Sequence, residues 1–181
     1  LENHGDLKRI GNNSPRYRVG LNLDAAWKGI DFSIFFQGVL KRDWMFDAGD
    51  PYFWGAGSGM WQAACFEEHM DYWTPENTDA YYPKPYFNET KNQQAQDAYM
   101  QKASYLRCKN IQLGYTLPTH ITEKAGISNC RIYLSCDNLF TITGLSSVYD
   151  PEAFGSYDGY GTSGKTYPLQ RTISVGVNLN F

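Results

Sequence analysis

Few residue types able to do acid–base or metal chemistry come together in this sequence. The histidines are scattered along the chain at His4, His69 and His120. No pair of carboxylates, and no nucleophile with a neighbouring base, stands at a spacing that general acid–base or nucleophilic catalysis needs. We therefore predict that the chain is not an enzyme, that it has no catalytic residues and that it needs no cofactor.

The nearest approach to a metal site is the pair Cys65 and His69. These side chains would share one face of a helix, with carboxylates in the same stretch. A polar helix face in contact with solvent explains the same spacing, and we favour that interpretation. Asp47, Asp50 and Asp71, or else Asp150 and Glu152, could offer oxygen ligands to calcium, but no calcium-loop spacing accompanies either set. We predict no metal site.

Aromatic side chains are the stronger candidates, and their chemistry is ring stacking. The stretch from Leu40 to about Gln101 carries four of the five tryptophans and shows no alternation. Flat amphipathic rings give large contact area at low entropy cost, so they suit sugar rings or peptide side chains. The predicted substrate- or partner-contacting residues are Trp54, Trp61, Tyr72, Trp73 and Tyr149. Packing of these rings within the loop, or against a partner protein, is the competing interpretation.

The end of the chain predicts the kind of element that must position these rings. From Thr172 onward the side chains alternate, and one face carries Ile173, Val175, Val177, Leu179 and Phe181. The other face carries Thr172, Ser174, Gly176, Asn178 and Asn180. Such alternation predicts a strand with one apolar and one polar face. A soluble sandwich and an outer-membrane barrel both accept such a strand.

The same alternation predicts a hairpin near the start of the chain. A strand from about Arg16 to Trp27 is followed by a two-residue turn at Lys28–Gly29 and a return strand from Ile30. Strands of about ten residues tilted by about 45° match the apolar band of a membrane barrel. The rings expected at the membrane interface are Tyr17, Trp27 and Phe181.

Two further strands are predicted, from about Ser104 to Leu117 and from about Cys130 to Thr143. The apolar phase of the first slips by one near Lys109–Asn110, which predicts a β-bulge. Between the two strands, Thr119 to Ala125 is predicted to form a short helix, capped by Thr119 and ended by Gly126.

The predicted connections alternate in length. Loops at residues 40–103 and 144–166 are long, whereas the other two are short. Within the first loop we expect a flexible link at Gly55 to Gly59, a helix at Met60 to Trp73 and a short helix starting near Asn92. Alternation of short turns and long loops is typical of outer-membrane barrels. Five strands cannot close a barrel, so they would be part of a larger one.

Bulk composition excludes some partners. The 181 residues carry a formal net charge of −3 and no basic run, which argues against nucleic acid. No apolar run is long enough for a transmembrane helix. Leu1 is not a start methionine, and nothing near it resembles a signal peptide, so we interpret the sequence as a piece of a longer chain.

Four motifs resemble the C-terminal part of SusC/RagA-type TonB-linked outer-membrane transporters. They are Ala103 to Pro118, Arg131 to Thr143 followed by Tyr149–Glu152, Tyr72 to Asn77 with Tyr82–Pro83, and Tyr167 to Phe181. Their order is that of the family, and they span essentially the whole chain. Cysteines at 108, 130 and 136 depart from the family, in which apolar or small residues are expected.

The resemblance implies more than the spacing does. It implies an all-β, antiparallel up-and-down fold forming the last five strands of a 22-stranded barrel, with residues 1–181 its C-terminal segment and the plug domain outside this sequence. It implies import of glycan or peptide fragments, a SusD-like surface lipoprotein as lid, and TonB coupling through a missing N-terminal region. The chain terminus would face the periplasm. A soluble β-sandwich carbohydrate-binding module and a porin-like barrel without energy coupling are the alternatives.

Overall fold

A computed structural model of the protein describes residues 8–58, 63–86, 91–153 and 166–181. The strands are β1 (Arg18–Trp27), β2 (Ile30–Val39), β3 (Asp43–Trp44), β4 (Gln101–Thr116), β5 (Asn129–Gly144) and β6 (Thr172–Asn180), and the α-helix is α1 (Thr119–Thr122). The sheet order is β1-β2-β4-β5-β6, and β3 pairs with the start of β4. The fold is therefore mostly antiparallel β-sheet with few helices, as the alternation predicts.

The chain divides into two compact units. The first, the sheet unit, consists of Pro15–Lys41, Ser104–Thr143 and Leu169–Phe181. The second, the loop unit, consists of Leu1–Ser14, Arg42–Ala103 and Gly144–Pro168. The predicted long loops therefore fall in one unit, and most of the strand residues fall in the other.

The β1–β2 hairpin confirms the predicted turn. Trp27 pairs with Ile30, and the two residues between them have positive φ angles, 48° at Lys28 and 84° at Gly29. Two consecutive positive φ angles are the signature of a type I′ turn, whose twist matches that of the flanking strands. The strand itself begins at Arg18, two residues later than the alternation suggested.

The register of β2 on β4 confirms the predicted β-bulge. Phe35 pairs with Asn110, whereas the next residue, Phe36, pairs with Cys108. Lys109 is therefore the extra residue, and it moves the apolar side chains of β4 back onto the face that the rest of the strand uses. This one insertion keeps the apolar face continuous from Leu106 to Tyr115 of β4.

The short helix after β4 is present, but the predicted cap, Thr119, lies one residue inside it. Pro118, with φ −61° and ψ 138°, occupies the N-cap position, and Thr119 is the first helical residue. The fixed φ of proline holds the extended conformation from which the helix starts, so no side-chain cap is used. A further 3₁₀ turn, Glu123–Ala125, ends at Gly126 in the left-handed conformation, as predicted.

One face of the sheet unit is apolar and exposed. Its exposed members are Leu21, Leu23, Trp27, Ile30, Leu113, Tyr115, Ile132, Leu134, Ile142, Ile173, Val175, Val177 and Leu179. Register places them side by side: Ile132 pairs with Val177, and Leu134 pairs with Val175. A contiguous apolar surface of this extent is not normal on a protein that meets only water.

The opposite face of the sheet unit is polar and satisfies itself by hydrogen bonds. Arg131 on β5 forms an ion pair with Asp31 on β2 and also donates to Gln112. The pair crosses β4 at Gly114, where any Cβ would collide with both charged groups. Asn110 also donates to Asp137, at 2.7 Å. These contacts give Arg131, Asp31 and Asp137 hydrogen-bond partners on this face.

Candidate functional site

A cluster of aromatic rings forms the core of the loop unit. Its buried members are Phe46, Phe53, Trp54, Tyr82, Tyr99, Ala103, Leu145 and Tyr149. Phe46 stacks on Phe53 at 4.5 Å and on Tyr149 at 4.2 Å between ring centroids. Tyr149 comes from the second long connection and the other rings named in these contacts come from the first, so the cluster joins the two connections.

Two predictions for the first connection were wrong. Gly55 is not in a flexible link: it begins a 3₁₀ helix (Gly55–Ser58) and has a positive φ of 54°. Its missing side chain leaves room for the ring of His69, which a Cβ would strike. No helix runs to Trp73 either, since the only helical residues among the described part of that stretch are a single 3₁₀ turn, Glu67–Met70. Backbone bonding of Trp73 N to Tyr82 O competes there with helix formation.

The predicted ring-stacking residues are in different environments. Trp54 and Tyr149 are buried at 5% and 4% exposure, so their rings are engaged in packing. Tyr72 is partly buried against the cluster, and Trp73 is 39% exposed. Trp61 lies outside the described residues. The packing interpretation thus accounts for Trp54 and Tyr149 in this structure, and Trp73 is the described member of the set with the most accessible ring.

Beside the cluster lies a cavity of about 200 Å³. Trp54, Tyr72 and Tyr82 line it, together with the proline rings of Pro83 and Pro85. Among the described residues that line it there is no carboxylate, lysine or arginine. Its size and its uncharged wall suit a single apolar or aromatic ring better than a charged group.

His69 has a structural role in the loop unit. Its Nδ1 accepts a hydrogen bond from Phe66 N at 3.0 Å, and its Nε2 lies 3.1 Å from Phe53 O. With Nδ1 accepting, Nε2 must carry the proton and donate to Phe53, which is the neutral ring. Both nitrogens are therefore used, and the described residues contain no cluster of His, Cys, Asp and Glu suited to a metal ion.

Asp50, considered above only as a possible calcium ligand, is a buried carboxylate whose contact with Tyr149 the sequence did not predict. Its Oδ1 accepts hydrogen bonds from Tyr52 N at 3.0 Å, from Phe53 N at 2.9 Å and from the Tyr149 hydroxyl at 3.0 Å. Burial raises the pKa of Asp50, although the hydrogen bonds from Phe53, Tyr149 and Tyr52 lower it. Burial and the nearby Asp50 carboxylate also raise the pKa of Tyr149, which therefore keeps its proton to donate.

Glu68 makes the second link between the two long connections. It accepts hydrogen bonds from Ser146 Oγ at 2.6 Å, from Ser147 Oγ at 2.6 Å and from Ser147 N at 3.0 Å. Burial alone would raise the pKa of Glu68, but the hydrogen bonds from Ser146 and Ser147 outweigh it and hold the pKa below 4.5, its ordinary value. The contact therefore favours the ionised carboxylate.

We expect the Glu68 contact to be lost in acid. A carboxylate whose pKa is lowered on folding adds stability above its ordinary pKa, and that stability disappears as the pH falls through the lowered value. The difference in urea midpoint between wild type and Glu68→Gln should therefore be constant near neutral pH and shrink below about pH 4.5. Tryptophan fluorescence, followed during urea denaturation at a series of pH values, measures these midpoints. A difference independent of pH would contradict the assignment.

The three rings predicted at a membrane interface are all exposed. Tyr17 is 63%, Trp27 68% and Phe181 88% exposed. Tyr17 and Trp27 lie at opposite ends of the first strand, and Tyr17 O accepts a hydrogen bond from Leu40 N. In the described part of the chain, no helix is long and apolar enough to cross a membrane.

Comparison with known proteins gives relatives over nearly the whole chain. No family model matches it. Two curated relatives from Formosa agariphila, TonB-dependent receptor P3 and TonB-dependent receptor P26, are 31% and 27% identical over 183 aligned positions, which cover 97% of this chain. The match spans only 17% and 18% of their own lengths.

Solved structures also match nearly the whole chain. The RagAB peptide transporter matches 93% of this chain and 18% of its own, with a TM-score of 0.69 and 26% identity. The RagAB peptide importer in its closed-closed state matches 96% of this chain and 18% of its own, with a TM-score of 0.70 and 26% identity. These neighbours are transporters and not enzymes, which agrees with the expectation that the chain has no catalytic role.

An antiparallel sheet with one exposed apolar face and one polar face is consistent with part of an outer-membrane β-barrel. The matches to TonB-dependent receptors and to RagAB go further. The chain belongs to the SusC/RagA type of TonB-dependent receptors, as its four motifs predict.

Proposed function

We propose that this chain is the C-terminal wall of an outer-membrane importer driven by the TonB system. The observation that carries the proposal is the pair of unlike sheet faces. The apolar face, with Val175 and Ile173 at 75% and 67% exposure, faces lipid, and the polar face with its Arg131–Asp31 pair lines the lumen. The matched receptors support the proposal, because the alignment with each of them covers 97% of this chain.

The complete protein in this proposal is a 22-stranded barrel, and residues 1–181 form its last five long strands. The long connections at residues 40–103 and 144–166 face the cell exterior, and Phe181 faces the periplasm. This orientation follows the rule that barrel turns are short on the periplasmic side and long outside. The plug domain and the segment that contacts TonB belong to the part of the receptor upstream of this chain.

The proposed cargo is a glycan or peptide fragment, delivered under a SusD-like surface lipoprotein. Trp54, Trp61, Tyr72, Trp73 and Tyr149 are the proposed contacts to cargo or lid. Trp73 and Tyr72, which are the more accessible of the described rings, are the best placed for direct contact. The similarity to the RagAB peptide transporter supports peptides as the first cargo class to test.

The decisive experiment is fractionation and uptake with the native full-length protein. We expect a product several times longer than 181 residues in the outer membrane, and uptake of labelled oligopeptides or oligosaccharides that stops when TonB is deleted. Uptake unaffected by TonB deletion would instead favour a porin-like barrel. A short product that stays in solution without detergent would favour the β-sandwich carbohydrate-binding module and overturn the proposal.

A further inference from the structure

The cavity of about 200 Å³ in the loop unit has buried rings at its base and accessible side chains at its opening. Trp54, His69 and Tyr82 form the base, at 5%, 8% and 6% exposure. The lining residues at the opening include Ala56, Cys65 and Met70, which are exposed. A concave, mostly apolar site that solvent can enter is the usual form of a small-ligand site.

The rings at the base are fixed by packing against other rings. Trp54 meets Phe53 and Tyr99 edge to face, each at 4.8 Å between ring centroids. His69 meets Tyr82 edge to face at 5.1 Å. The base is therefore already ordered, so little side-chain freedom is lost when a ligand enters.

The ring nitrogens at the base are already engaged. Trp54 Nε1 donates to Asp47 O at 2.9 Å. His69 Nδ1 accepts from Phe66 N at 3.0 Å, and His69 Nε2 donates to Phe53 O at 3.1 Å. The described lining residues contain no carboxylate, lysine or arginine. A charged group would therefore lose its water in this cavity without gaining a charged partner.

The lining also separates an aromatic ring from a sugar ring. Among the described side chains of the wall only Tyr72 and Tyr82 bring hydroxyls, whereas a sugar ring carries several hydroxyls that need partners when buried. An aromatic ring gains instead from ring contacts with Trp54 and from the thioether of Met70. A cavity of about 150 Å³ is enough to bind benzene. A cavity of about 200 Å³ therefore has room for one phenyl ring.

We propose that this cavity binds one uncharged aromatic side chain of a peptide cargo, of the size of a phenylalanine ring. The inference rests on the import function proposed above, and it narrows the cargo to peptides that carry such a ring. Ring binding needs neither TonB nor the lid. It can therefore fail in a receptor that still takes up cargo with TonB, and it can succeed in one that does not.

Cys65 reports whether the cavity is occupied. Cys65 is exposed at the opening, whereas Cys108, Cys130 and Cys136 are buried. The measurement is the rate of N-ethylmaleimide labelling at Cys65, read by mass spectrometry on the full-length receptor in detergent. N-acetyl-L-phenylalanine amide should slow labelling saturably, by about tenfold at about ten times its Kd. N-acetyl-L-lysine amide and methyl glucoside at the same concentrations should leave the rate unchanged.

Filling the cavity from its opening gives a second measurement. Ala56→Phe places a phenyl ring at the wall, so it should slow labelling of Cys65 without any probe and remove the response to N-acetyl-L-phenylalanine amide. Ala98→Phe is the matched control, because Ala98 is exposed in the 3₁₀ helix Asp97–Tyr99 and does not line the cavity. It should keep the wild-type rate and response.

Three outcomes would overturn the ring site. One is labelling of wild-type Cys65 that no probe slows, since the cavity would then take no ligand. Another is equal protection by the phenylalanine and lysine amides, or by methyl glucoside, since the site would then not select an uncharged aromatic ring. The third is an equal loss of response in Ala56→Phe and Ala98→Phe. The wild-type measurement decides the question if Ala56→Phe does not assemble.

Discussion

Replacing Val175 by arginine is expected to destabilise the assembled receptor by about 2–4 kcal/mol, the cost of a cation near the midplane on the lipid face of a barrel. Val175 lies near the middle of β6, is 75% exposed and pairs with Leu134, which is 49% exposed. An arginine there would lie among the apolar side chains of Leu134, Ile173 and Val177. The measurement is the urea midpoint of the full-length receptor reconstituted in bilayers, together with its yield in the outer membrane.

The neighbouring residue supplies the control. Ser174 precedes Val175, points to the opposite face and pairs with Ser135. Ser174→Arg adds the same charge to the same strand, but on the proposed lumen side, where the cost should be small. Equal effects of the two substitutions would contradict the assignment of lipid and lumen faces. A greater effect of Ser174→Arg would place the core on the polar side and favour another architecture.

Replacing Phe53 by alanine is expected to cost the loop unit about 3–5 kcal/mol, the usual range for a fully buried phenylalanine. Phe53 is 1% exposed and contacts four rings: Phe46, Trp54, Tyr82 and Tyr99. Truncation would leave a cavity among large flat groups that cannot collapse without breaking their stacking geometry. The opening free energies of protected loop-unit amides, measured by hydrogen exchange in the full-length receptor, should fall by this amount.

Tyr86→Ala is the aromatic control for that measurement. Tyr86 is 52% exposed, so its truncation removes a ring without opening a buried cavity. We expect a change of about 0.5 kcal/mol or less, which is typical of surface positions. Similar losses for Phe53→Ala and Tyr86→Ala would mean that the aromatic cluster is not the core of the loop unit.

Sequence reasoning succeeded where the signal was local. The turn at Lys28–Gly29 and the bulge at Lys109 follow from alternation with a period of two residues, which covalent geometry imposes on any strand. The helix predicted in the first long connection was wrong. Spacing near Met60 to Trp73 mimics a helical period, but the backbone of Trp73 and Tyr82 bonds across the loop instead.

By itself, therefore, the sequence determined the strands, their two unlike faces, the register slip and, through its motifs, the family. Only the tertiary structure decided what the aromatic and acidic residues of the long connections do. Asp50 meets Tyr149 across 99 positions, and Glu68 meets Ser146 across 78. Contacts at such separation leave no periodic trace, because they depend on how the whole chain folds back on itself rather than on the geometry of neighbouring residues.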